Sequence, residues 1–311
     1  MQPQAQTSDP AAFVPAVRKN QDTFLRQFLR TNAEVFRRDR MALTGLIILI
    51  FFILVAVFAP LIAPYDPLQV IEKDGIWLSN QKPSPEFPLG TTNLGRDIFS
   101  QLVYGSRAAL LVGFSAAVAV SVIGTLVGLT AGYYGGWVDS LLMRLADIAF
   151  GIPFLPFIIV LTAFLKPSIW NVVIAMAILL WRDSSRVIRA QVLVIKEQSF
   201  VSAARVSGAS SLRIVFYYIA PSILPLSFLY GSLAIGWAVL TEASVSFLGF
   251  SDANVVSWGF MLQDAFASQA LSRGAFYWII PPGLCIMLTV MSGFFIGRGY
   301  EEVLFPRLRR M

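Results

Sequence analysis

Six apolar runs, each bounded by polar or turn-forming residues, organise this chain. They cover about Met41–Pro64, Ala108–Ala131, Ser140–Leu165, Ile169–Trp181, Ile214–Leu248 and Phe276–Ile296. A helix that crosses a bilayer needs roughly 20 predominantly apolar residues. Most of the runs are that long; the fourth is short and passes into a polar helical pattern through Gln191. The pattern predicts an all-α integral membrane protein with six transmembrane helices. Between the first two runs lies a polar stretch from Tyr65 to Gln101, rich in Pro, Gly and Asp.

The basic residues fix an orientation. Lys and Arg concentrate in loops that stay in the cytoplasm. With the N-terminus inside, seven fall in residues 1–40, six between Arg182 and Arg213, and four in the C-terminal tail, against six on the other side. Both termini and the loop around residues 182–213 are therefore expected in the cytoplasm of a cell membrane. No apolar core lies within the first 30 residues or so, where a cleaved secretory signal would carry one, so the first run is expected to remain as an anchor. Residues 1–40 read as a cytoplasmic extension. Its segment 24–40 can form a surface helix with Phe24, Leu25, Phe28, Leu29 and Phe36 on the apolar side, and residues 1–20 as a polar tail. Residues 41–311 read as one membrane domain.

Composition agrees and removes alternatives. The chain is 56% hydrophobic and 14% charged, with mean hydropathy +0.68, whereas a soluble domain carries about 25% charged residues. The net charge of +6 would raise nucleic acid for a soluble protein; here it sits in loops. Without histidine, the usual metal ligand, general base and pH switch are missing. Cys285 is the single cysteine and lies in an apolar run. No Gly-x4-Gly-Lys-Ser/Thr occurs, so the chain has no P-loop for ATP phosphates. An enzyme is not expected, nor a metal site or a cofactor of its own.

Several features carry possible mechanism. The loop at about 192–213 contains a helix-forming segment from Ser199 with Ala203 and Ala204, followed by Gly208 as a C-terminal cap and Ser210 or Ser211 as the next N-cap. A thin helix of this kind can dock in a partner's groove or serve as an ordinary connector. Arg144 and Asp147 stand one turn apart in run three and can pair with each other or reach the neighbouring loop. Glu242 lies near the external end of run five, where packing, gating or substrate contact are open. Gly124, Gly128 and Gly132 let a second helix approach closely, either within the chain or from a partner. Pro153, Pro156, Pro221, Pro225, Pro281 and Pro282 invite kinks. Trp170, Trp237, Trp258, Tyr277 and Trp278 fit an interfacial belt or a sugar path.

The loop from Phe200-Val-Ser202-Ala203-Ala204-Arg205 to Gly208 and Pro221 resembles the signature loop of ATP-binding-cassette importer permeases. The family pattern is Glu-Ala-Ala, three residues, Gly, nine residues, then Ile-x-Leu-Pro. Ser202 replaces the Glu, Tyr218 the Ile and Ala220 the Leu. Other stretches resemble the dipeptide/oligopeptide/nickel branch and its C-type subunit. They are Leu89-Gly90-Thr-Thr-Asn-Leu-Gly95-Arg96-Asp97 with Tyr104-Gly-Ser-Arg107, where Thr92 replaces an Asp. They continue with Gly132-Tyr-Tyr-Gly-Gly-Trp-Val-Asp139, Thr241-Glu-Ala-Ser-Val-Ser-Phe-Leu-Gly249, Ser257-Trp-Gly259 and Pro306-Arg-Leu-Arg309. The resemblance implies a type I importer permease fold and a coupling helix at Phe200–Gly208 docked on an ATPase subunit. It implies a second homologous permease, two ATPase subunits binding ATP and Mg2+, and an extracytoplasmic binding protein meeting the external loops. Peptides are the implied substrate class, with oligosaccharides, glutathione-like compounds or nickel chelates as relatives' alternatives. An ion-driven secondary transporter and a membrane scaffold are the competing readings; the first would want midplane acidic residues and internal symmetry.

Overall fold

The computed structural model describes residues 35–37, 39–165, 167–250, 252 and 254–304. The stretch from Phe24 to Leu29, the tail at 1–20 and the Pro306–Arg309 motif lie outside them. The elements are α1 (Arg40–Val57), α2 (Ala59–Ile62), a two-residue hairpin of β1 (Glu72–Lys73) and β2 (Ile76–Trp77), α3 (Ile98–Tyr134), α4 (Gly136–Gly151), α5 (Phe154–Phe164), α6 (Ile169–Leu179), α7 (Trp181–Ile195), α8 (Ser199–Val206), α9 (Ser211–Phe247), α10 (Trp258–Ala267) and α11 (Phe276–Leu304). The antiparallel hairpin pairs Glu72 with Trp77 and Lys73 with Ile76.

Four helices are long and apolar enough to cross a membrane by themselves: α1, α3, α9 and α11. The third apolar run, expected as one span from Ser140 to Leu165, is broken. Its two helices, α4 and α5, meet at 82°. The cause is local. Pro153 cannot donate to a helix and its ring pushes the preceding residue out of the helical region, so Ile152 is extended (φ −88°, ψ 119°) and closes α4. The fourth run stops at Leu179, and Leu180 joins α6 to the polar α7.

Pro221 has a different outcome. The backbone around Ile214–Ile219 widens to i→i+5 hydrogen bonding just before it, with Ala220 N–H reaching Val215 O. The wider turn accommodates the proline within one continuous helix. Helices α9 and α11 also pass through Pro225, and through Pro281 and Pro282, without a break.

Helices α3 and α9 form the centre. Helix α7 packs along α3, α11 along α9, and α1 along α11. Small residues allow these approaches. A Cβ on Gly45 of α1 would lie 2.8 Å from Phe295 Cβ and Ser292 O of α11, and one on Gly293 of α11 would lie 2.7 Å from Ser232 O of α9. The stripe Gly124, Gly128 and Gly132 faces α7: added methyls would meet Ser184 Oγ at 1.9 Å, Ile188 Cγ2 at 2.7 Å and Val192 Cβ at 2.7 Å. Of the two readings of that stripe, packing within the chain is the one observed. Phe36 reaches back to the edge of the Tyr300 ring, with centroids 6.4 Å apart.

Candidate functional site

The segment expected to dock on a partner forms at one end of α3. Helix α8 starts at Ser199 and is closed by Gly208, whose φ of +79° suits the absence of a Cβ. Gly208 N–H donates to Arg205 O (3.1 Å) and Ala209 N–H to Ala204 O (3.1 Å). That is the paired closure of a glycine-capped helix. Ser210 then caps α9, accepting from Arg213 N–H at 3.4 Å. The two alanines part company. Ala204 and Val201 face inward onto Ile195, Ile214 and Ile219, with Phe200 half-buried beside them. Ser202, Ala203 and Arg205 face out, and Val206 is 90% exposed. Burial of one valine is worth roughly 1.5–3 kcal/mol, so α8 rests on a narrow apolar footing and presents most of its surface.

What holds this region from behind is a set of basic residues on α7. Arg189 grips Asp139 with both its Nε and Nη2, the latter 2.5 Å from Oδ2. Arg186 pairs with Asp147, Arg182 donates to Ala149 O, and the Phe150 ring lies under the Arg182 and Arg186 guanidiniums at 4.5 and 4.1 Å respectively. Lys196 Nζ donates to Gly132 O (3.0 Å), a carbonyl in the last turn of α3. Of the two pairings open to Asp147, with Arg144 one turn away or with the neighbouring 182–213 segment, the second is the one formed: Arg186 of α7 takes the carboxylate, and Arg144 is exposed. Spacing carried a usable signal: Arg182, Arg186 and Arg189 stand at i, i+4 and i+7, opposite acids eight residues apart. The positive-inside pattern alone uses them as charges that set topology and says nothing of a clamp.

At the other end of α3 the 65–97 segment folds tightly. Gly90 and Gly95 adopt φ of +73° and +72°. Thr92 accepts from the N–H groups of Leu94 (3.2 Å) and Arg96 (3.1 Å), the turn-closing task an aspartate side chain also performs; this accounts for Thr at a family Asp position. Asp97, 0% exposed, caps α3 by accepting from Ser100 N–H (2.8 Å) and its hydroxyl (2.6 Å). Arg107 reaches Ala56 O at 2.7 Å and so ties α3 to α1. The Ser257-Trp258-Gly259 stretch seats α10. Trp258 Nε1 donates to Leu102 O (2.9 Å), and a Cβ on Gly259 would stand 2.4 Å from Ala243 O.

Glu242 is 2% exposed and turned into this same junction, accepting from the Ser246 hydroxyl at 2.6 Å, with Ser257 at the start of α10 close by. A buried carboxylate needs such a donor. Nearby, Arg96 Nε, Asp264 Oδ2 and Ser268 Oγ are buried without a hydrogen-bond partner. Burial pushes the Asp264 carboxyl above its usual range, and the charge of Arg96 opposes that shift.

A groove of about 460 Å3 runs between α3 and α9, walled by Phe114, Val118, Val122, Leu126 and Phe228, with Thr125 and Ser227 hydroxyls 2.7 Å apart on its floor. Arg144, Asp147 and Glu242 do not line it.

Comparison with known proteins decides the family. Residues 124–310 match the family described as binding-protein-dependent transport system inner membrane component. The chain belongs to that family. Residues 23–83 match the N-terminal TM domain of oligopeptide transport permease C. Among relatives, the dipeptide transport system permease protein DppC of Alkalihalophilus pseudofirmus is 36% identical over 274 residues, 88% of each chain. The glutathione transport system permease protein GsiD of Escherichia coli is 37% identical over 275 residues, 88% of this chain and 89% of the relative. The oligopeptide transport system permease protein OppC of Bacillus subtilis is 34% identical over 276 residues, 88% of each. This permease is thus a multi-pass inner-membrane transport component, and the resemblance noted in its motifs extends over most of its length.

Proposed function

We propose that this permease forms one half of the translocation path of an ATP-driven importer for peptides. The observation that carries it is α8: a short, glycine-capped helix joined to the membrane bundle by a small apolar footing, with its outer face uncovered. That is the form a docking element requires. Helix α8 and its flanks, residues 192–213, dock on one of two ATPase subunits, which bind ATP and Mg2+; Phe200, Val201 and Ala204 fix the helix while Ser202, Ala203, Arg205 and Gly208 meet the partner. A movement of the docked helix reaches the bundle through α7 and the arginine clamp on Asp139 and Asp147.

Six spans with both ends in the cytoplasm fit this reading. The bent α4–α5 pair supplies the third and α6 with the start of α7 the fourth, while residues 41–311 form the membrane domain behind the 1–40 extension. The 65–97 segment, with Gly90, Gly95, Arg96 and Asp97, then faces an extracytoplasmic binding protein. The uncovered α3–α9 groove faces the second, homologous permease or the path between them. The relatives named for dipeptide, oligopeptide and glutathione all handle peptide-bonded solutes, which supports peptides over oligosaccharides or nickel chelates.

Purification of the tagged chain in mild detergent with mass spectrometry tests the assembly. The expected result is recovery of a second permease and one or two P-loop ATPases, with peptides competing for the associated binding protein. Recovery of the chain alone, with flux driven by an ion gradient, would overturn it in favour of a secondary transporter.

A further inference from the structure

The exposed surface from Ser202 to Arg213 has a definite chemistry. Its charged residues are Arg205 and Arg213; no carboxylate occurs between Gln198 and Arg213, and Glu197 precedes the helix. Around the two guanidiniums lie Ser202, Ser207, Ser210 and Ser211, all exposed, with two uncovered apolar side chains, Val206 at 90% and Leu212 at 64%. Position 202, where the family pattern has glutamate, points outward beside Arg205.

On the reading that α8 docks on an ATPase, we propose that this chain fits a groove with acidic side chains opposite Arg205 and Arg213 and an apolar pocket for Val206. The groove is not the basic one that a glutamate at position 202 would select. Charge complementarity governs which partner a surface accepts, and like charges brought together are costly. A permease without the acid and with two arginines therefore discriminates among ATPases that share one fold. The face is poorly suited to anionic lipid instead. Helices that lie in a membrane surface bury bulky Trp, Phe and Leu side chains. Here the outer face of α8 offers Ser202, Ala203 and Ser207 around a single valine. Small residues and a capping glycine let a partner's backbone come close.

The test uses the full-length chain in detergent and the P-loop ATPase that co-purifies with it, with binding measured at low and high salt. Ser202→Glu and Arg205→Glu are each expected to weaken binding about tenfold, and Arg205→Lys to leave it within about twofold. The losses shrink as salt rises. Both positions, Ser202 and Arg205, are exposed, and a monodisperse elution profile checks that the bundle is intact. Binding that is unchanged or tighter in Ser202→Glu would overturn the acidic groove while leaving the docking of α8 intact. Absence of any co-purifying ATPase with the wild-type chain would remove the docking reading itself, and this inference with it. Wild-type ATPase binding in Arg205→Glu, together with lost binding to phosphatidylglycerol vesicles, would make the face a lipid contact and also overturn the proposal.

Discussion

The two ends of α3 each carry a turn built on a glycine with almost the same backbone angle, set in opposite surroundings. Gly90 has φ +73°, and a Cβ there would stand 2.3 Å from Gln81 O; Gly208 has φ +79°, with nothing within 4 Å. Around Gly90 the chain is laced by hydrogen bonds, from Thr91 N–H to Gln81 O, from Ile98 N–H to Gly90 O and from Asn80 N–H to Thr92 O. Around Gly208 the bonds close only the local helix end. One turn is part of a packed body. The other is a handle held out from it. A positive φ alone does not report which role a glycine plays; the space beyond its Cα does.

The largest expected effect separates the two glycines. In Gly208→Ala the cost is conformational, about 1–2 kcal/mol for the left-handed geometry, felt within α8. In Gly90→Ala the same cost is joined by a clash between two backbone segments, for a total above about 3 kcal/mol. Thermal unfolding in detergent should show a large loss of midpoint for Gly90→Ala and a small one for Gly208→Ala. Equal losses would break the distinction between packed turn and presented turn.

Next in size come the caps. Asp97 is wholly buried and satisfies both the N–H and the hydroxyl of Ser100; its replacement by Ala is expected to cost about 2 kcal/mol, the upper part of the range for N-caps. Ser210 caps an exposed turn through one long bond of 3.4 Å, and Ser210→Ala should cost about 0.5 kcal/mol. A Ser210→Ala loss as large as that of Asp97→Ala would show that the exposed end is more tightly built than its contacts indicate.

Much of this contrast was legible in the sequence, and the illegible part has a physical reason. Helix α8, its glycine cap and the serine after it follow from local rules of propensity and capping, and they appear where Ser199, Gly208 and Ser210 put them. The apolar runs at α1, α3, α9 and α11 were readable because burial in lipid is a composition rule. The break at Ile152 was announced by Pro153, but its angle of 82° depends on what α4 and α5 pack against. Tertiary choices were hidden. Asp147 has Arg144 one turn away and binds Arg186, 39 residues on, because α7 is held against α4. Glu242 lies in an apolar run and gives no hint that Ser257 will meet it. The three glycines of α3 announced a close neighbour without saying which helix it would be.

The smallest expected effect sharpens the comparison through pH. Residues 199–213 contain no carboxylate, so the presented helix and its cap have none to titrate. The packed end has Asp264, whose carboxyl is pushed up by burial against the opposing charge of Arg96. A carboxyl with a raised folded-state pKa binds its proton more readily folded than unfolded. Stability then falls as pH rises, beginning near the ordinary aspartate value and ending above the raised one. The wild-type unfolding midpoint should therefore decline slightly across that window. In Asp264→Asn, which removes the ionising group, the slope should flatten. Replacing Arg96 by Met takes away the opposing charge and should carry the decline to higher pH. A wild-type slope that persists unchanged in Asp264→Asn would mean that another carboxylate governs it, and that the unpartnered atoms of Arg96 and Asp264 do not mark a strained electrostatic pair at the packed end.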